Sequence, residues 1–176
     1  MVSGRDEGPI GSGSSAPGPR VSAAEATSLG SDVPAGSTVD RARDRITFPG
    51  ATDHLVVLAG PSGGPDETFR VAGLVNPAIT VKSGARITIE VVNADSGAAQ
   101  GMVVTASGSA SSQTPMMTAV PAFSGSAVWF LGNSTSAGMH VGTLAFTAGK
   151  PGTYQYLCPV PGHAKDGMAG TFAVVS

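Results

Sequence analysis

The stretch Tyr154-Gln155-Tyr156-Leu157-Cys158-Pro159-Val160-Pro161-Gly162-His163-Ala164-Lys165-Asp166-Gly167-Met168 contains the only cysteine of the chain. Its first half alternates and is aromatic, which is the pattern of a strand, and Pro159, Pro161 and Gly162 then force a tight loop that presents His163 and Met168. One short segment thereby offers a thiolate, an imidazole and a thioether.

These three donors suit copper that cycles between Cu(I) and Cu(II). Soft sulfur favours Cu(I), imidazole tolerates both states, and a weak axial Met tunes the potential. Zinc fits less well, because it takes four strong N, S or O ligands, or three and a water, and the sequence has no Cys-x-x-Cys or His-x-x-x-His partner. The plain alternative is a buried structural Cys with a His and a Met that fall in a surface loop by chance.

Working outward, strand signals run from Ile46 to the C-terminus. In Arg86 to Val92, Ile87, Ile89 and Val91 alternate with Arg86, Thr88 and Glu90, as in a strand with one face in a core. Leu55 to Leu58, Phe69 to Leu74, Ile79 to Val81, Met102 to Ala106, Val128 to Leu131, Val141 to Thr147, Thr153 to Cys158 and Gly170 to Val175 bring the total to about eight or nine strands. Such a count over roughly 130 residues predicts an all-β, two-sheet Greek-key sandwich. With 25 Gly, 13 Pro and only 12% charged residues, the composition agrees, favouring short strands and turns over long helices.

Residues 1–43 are poor in large apolar side chains and read as a disordered tail or linker, with a turn of helix at most over Ala23 to Leu29; the domain proper is expected over residues 44–176. A net charge of −2 advertises no nucleic acid. No run approaches the roughly 18 apolar residues of a membrane helix, and Met1 to Thr38 lacks the apolar core of a signal peptide. Gly149-Lys150 is a turn, since Pro151 follows where a phosphate loop needs Ser or Thr, and Asn133-Ser134-Thr135 is assigned to a surface loop.

The pattern Cys158-x4-His163-x4-Met168, with Pro-Gly before the histidine and Tyr-x-Tyr-x-Cys leading in, resembles the C-terminal copper loop of the cupredoxins, with the spacing of sulfocyanins and rusticyanins. The resemblance implies a β-sandwich with one copper ion, electron transfer to or from a redox partner protein, no substrate transformation of its own, and a location outside the cytoplasm. It assigns Cys158 the strong thiolate bond, His163 an equatorial nitrogen at the exposed edge, and Met168 a weak axial contact.

Members of that family take a further histidine from a loop after a strand like Arg86 to Asn93. The matching loop here, residues 94–102, has none, and Gln100 stands in the corresponding place. An amide oxygen is a poorer equatorial donor to Cu(II) than imidazole. His140 is a second candidate. If Val141 to Thr147 and the strand from Thr153 form a hairpin with Thr147 opposite Thr153, Cys158 faces Gly142 and His140 sits opposite Val160, about 7 Å along the strand from the point facing Cys158. A one-residue slip would send its ring to the other face. His54, beside a loop, reads as structural or exposed. Met102, Met116, Met117 and Met139 read as adaptable filler before they read as soft ligands, and Trp129 and Phe130 as core aromatics.

Three functions follow as expectations: a mononuclear copper electron carrier whose shell is completed by Gln100, His140 or water; a Cu(I) binding or delivery protein of the cell envelope; or a metal-free scaffold used for protein interaction. A thiol enzyme is a distant fourth, because no residue stands out to orient a Cys158-His163 pair.

Overall fold

The computed structural model describes residues 20–61, 67–106, 120–160, 162–164 and 166–176. In chain order the elements are β1 (Arg20–Val21), α1 (Ala23–Ser31), β2 (Thr38–Asp40), β3 (Arg45–Thr47), β4 (Thr52–Ala59), β5 (Phe69–Val71), β6 (Leu74–Val75), β7 (Ala78–Lys82), β8 (Arg86–Asn93), β9 (Gln100–Ala106), β10 (Ala127–Leu131), β11 (Met139–Thr147), β12 (Gly152–Leu157) and β13 (Ala169–Val175). They build two sheets, ordered β1-β11-β8-β4-β5-β6 and β10-β9-β12-β13-β7-β3-β2.

The alternation read in β8 is realised: Ile87, Ile89 and Val91 are buried while Thr88 and Glu90 are half-exposed. Ile89 and Val91 join Leu55 and Val57 of β4, Leu144 of β11, and Tyr156 and Phe172 of the facing sheet in one core. Each large apolar side chain so buried stabilises the sandwich by about 1.5–3 kcal/mol. Tyr156 satisfies its hydroxyl by donating to the Pro77 carbonyl at 2.6 Å, and its ring meets Phe69 edge-on with centroids 5.5 Å apart. That fixes the strand leading into Cys158.

Three expectations are corrected. The hairpin of Val141 to Thr147 with Thr153 to Cys158 does not form: β11 pairs with β8 and β1, whereas β12 pairs with β9 and β13 in the other sheet. The turn at residues 148–151 therefore crosses from one sheet to the other, where a hairpin would have kept both strands in one layer. Phe69 to Leu74 is two strands, split at Ala72-Gly73 with φ of 50° and 80°, not one. From Arg20 onward the chain is not a tail. Arg20 pairs with His140, β2 pairs with β3, and Ser22 caps α1 by accepting from the Glu25 N–H at 3.1 Å. Small residues, too few to predict a core, let this segment lie flat: Ala26 and Gly30 are buried, and a Cβ on Gly30 would collide with Leu58. Residues 1–19, with Met116 and Met117, lie outside the described residues.

Candidate metal centre

The chain leaves the sheet at Leu157, and backbone hydrogen bonds close the loop that follows. Cys158 N–H donates to the Met168 carbonyl at 3.1 Å, Met168 N–H to the His163 carbonyl at 3.0 Å, and His163 N–H to the Val160 carbonyl at 3.1 Å. Gly162 supplies φ 88°, which a residue with a Cβ seldom adopts, and so aims His163 back over the cysteine. Met168 is wholly buried in the cluster that contains Cys158.

Gln100 opens β9 on the neighbouring strand. Its Oε1 accepts from the Cys158 thiol at 3.2 Å and lies 2.9 Å from His163 Nδ1, which is itself 3.5 Å from Cys158 Sγ. Beside Gln100, Gly101 lets the β10 backbone lie close against β9, since a Cβ there would collide with the Trp129 carbonyl. Both Gln100 and Cys158 are almost entirely buried, and His163 is 8% exposed.

The amide is oriented by a carboxylate. Gln100 Nε2 donates to Asp95 Oδ2 at 2.9 Å, so the oxygen must face Cys158 and His163. Asp95 Oδ1 in turn accepts from the N–H groups of Gly97 and Ala98, at 2.7 and 3.1 Å. Asn93 anchors the loop from below: its Nδ2 donates to the carbonyls of Ala98, Leu131 and Gly132, and its Oδ1 accepts from Asp95 N–H. At the outer rim, Glu67 Oε1 lies 3.4 Å from His163 Nε2.

Burial pushes the Cys158 thiol up to about 12; the N–H groups of Val160 and Gly101 oppose this, and the charge of Glu67 adds to it. Burial likewise lowers the pKa of His163, against the pull of Asp95 and Asp166. Those carboxylates favour any cation held beside the ring. A sulfur, a nitrogen and an oxygen lone pair thus converge, and a proton or a metal ion must lie among them.

The donor set fits a soft, redox-active ion. A point equidistant from the three atoms lies about 1.9 Å from each, close to metal–nitrogen bonds of roughly 2.0 Å and a little short of metal–thiolate bonds of roughly 2.3 Å. Among the described residues, no group of three or more His, Cys, Asp or Glu side chains is placed to hold a metal ion by itself.

The other predicted candidates lie elsewhere. His140 is on the six-stranded sheet, opposite Arg20, buried, with its pKa lowered by burial. The register that would set it opposite Val160 does not exist, and with it goes the reason to bring it to Cys158. His54 is on the outside of β4 and pairs with Glu90 at 2.6 Å. Met102 is core, and Met139 packs beside α1's cluster. The sequence reading missed Glu67, Asp95 and Asn93. Asp95-Ser96-Gly97, a turn-forming triplet just before Gln100, was a signal available for the second.

Two facing sheets with a Cys-His-Met loop closing one end, met by a polar residue from the start of an adjoining strand, define a cupredoxin, the class of β-sandwich copper proteins that transfer electrons. Within that class the chain belongs to the sulfocyanin family: the Sulfocyanin (SoxE) domain matches residues 51–176. Rusticyanin of Acidithiobacillus ferrooxidans is 30% identical over 131 residues, 74% of this chain and 67% of that protein, and rusticyanin of Acidithiobacillus ferridurans matches to the same extent. The solved structure of rusticyanin from Thiobacillus ferrooxidans superposes with a TM-score of 0.73 at 24% identity, covering 88% of this chain and 95% of that one, and shares the fold.

Proposed function

We propose that the protein is a mononuclear copper electron carrier in which Cys158 gives a thiolate bond, His163 binds through Nδ1, Met168 supplies a weak thioether contact and Gln100 Oε1 takes the place of a second imidazole. The observation that carries this reading is the convergence of Sγ, Nδ1 and Oε1 within 3.5 Å of one another in a buried pocket. When bound, copper supplies a one-electron Cu(II)/Cu(I) couple. The chain's own residues do the rest. The Tyr156 and Asn93 anchors hold the donors in place whichever charge is present, Asp95 keeps the amide oxygen inward, and burial excludes bulk water.

The partner is a redox protein that approaches the His163 rim, the location is outside the cytoplasm, and one copper is held per domain; these three statements rest on the family resemblance. The protein carries out no substrate transformation of its own. Titration of the purified protein with Cu(II) under air tests the reading: an intense thiolate-to-copper band saturating at one equivalent supports it. A second reading, binding and delivery of Cu(I), is favoured by one observation, the neutral amide where a second imidazole would favour Cu(II). Tight Cu(I) uptake with no such band selects it, and uptake of neither ion selects a metal-free interaction scaffold.

A further inference from the structure

Glu67 lies far in sequence from the Cys158–Met168 loop, yet it is tied to that loop through the β5–β6 hairpin. Gly60 N–H donates to the Thr68 carbonyl at 2.9 Å, Phe69 N–H donates to Asn76 Oδ1 at 2.8 Å, and Asn76 Nδ2 donates to the Gly167 carbonyl at 3.0 Å. The Glu67 backbone has φ 54°, a conformation that non-glycine residues seldom adopt and that surrounding contacts must hold. Held so, its carboxylate sits 3.4 Å from His163 Nε2, with the His163 and Glu67 side chains 11% and 26% exposed.

The imidazole is thereby placed between two acceptors. Gln100 Oε1, 2.9 Å from Nδ1, draws the ring proton inward, whereas Glu67 draws it outward to Nε2. Only the second arrangement leaves the inward nitrogen a lone pair for a metal. An ionised carboxylate is the stronger attractor of the two.

We propose that Glu67 is a positioning residue for this centre: it keeps a proton on His163 Nε2 so that Nδ1 is the binding atom, and its negative charge favours Cu(II) over Cu(I). The second half rests on the copper reading above; the first does not. Outer carboxylates that hold a ligating histidine by its other nitrogen act in this way in metal sites generally.

The test uses the full protein with Glu67→Gln, which keeps an acceptor and loses the charge, and Glu67→Ala, which loses both. Nitrogen-15 NMR of the metal-free proteins should show His163 Nε2 protonated in the parent and in Glu67→Gln, and the proton moved to Nδ1 in Glu67→Ala. In the copper-loaded proteins both variants should lower the ratio of Cu(II) to Cu(I) affinity by about tenfold, equivalent to about +59 mV on a one-electron potential. The same ring-proton position in the parent and Glu67→Ala overturns the positioning role. A potential unmoved in Glu67→Gln overturns the charge role. Failure of the parent to take up copper sinks the copper reading and the charge role with it, while the ring-proton result still decides the positioning role.

Discussion

The two ends of β4 treat similar side chains in opposite ways. Beyond Ala59, Gly60 packs against Asp95 and Gln100, and at this end the carboxylate oxygens of Asp95 accept from two backbone N–H groups and an amide. At the other end Asp53 is only 4% exposed, and its Oδ2 has no hydrogen-bond partner among the described residues. The histidines differ in the same sense. His54 and Glu90 make the shorter pair, 2.6 Å, but their side chains are 57% and 40% exposed, where such pairs contribute about 0–1 kcal/mol. His163 and Glu67 are farther apart and better buried, and the other nitrogen of that ring faces a thiol and an amide oxygen. What a polar side chain does here depends on what its partners leave facing inward.

The sharpest way to break this contrast is Cys158→Ser, which should abolish the thiolate-to-copper band altogether; a surviving band would mean that the inward-facing group at this end is not the thiol. Next comes the pair of histidines. His163→Ala should cost at least about 100-fold in Cu(II) affinity, measured by competition with a chelator, and His54→Ala should leave it within about twofold. Gln100→His should then raise Cu(II) affinity by about tenfold or more, because imidazole is the better equatorial donor.

The smallest effect is at the far end. Burial raises the Asp53 pKa above its ordinary value, so the folded state holds this proton more tightly than the unfolded chain does. Stability contributed by the protonated form is present below the unfolded value and falls as pH rises from there through the folded value. Asp53→Asn should remove that fall and stabilise the protein at neutral pH by about 1 kcal/mol. Denaturant melts at acid and neutral pH check it, and equal stability changes at both would contradict the assignment.

Much of this was legible locally. Ile87, Ile89 and Val91 announce a half-buried strand by period alone, and Cys158, His163 and Met168 lie within one loop whose Pro and Gly fix its turn. Gln100 was legible by its place before Gly101 and an apolar run. What was not legible depends on pairing between distant strands. The choice of β8 over β12 as the partner of β11 is made by two sheets packing together, and His140 moved with it. Arg20 to Asp40 orders through docking of small residues onto β4 and pairing with β11 and β3, for which its composition gives no sign. Glu67 follows a Gly- and Pro-rich stretch, and only the β5–β6 hairpin carries it to His163.

The central claim, that one imidazole and one amide oxygen face the cysteine, is tested most directly by pulsed electron paramagnetic resonance of the Cu(II) protein with its histidines labelled with nitrogen-15. One coupled imidazole, lost in His163→Ala and kept in His140→Ala, is the predicted result. Two coupled imidazoles, or one that disappears in His140→Ala, would contradict the account.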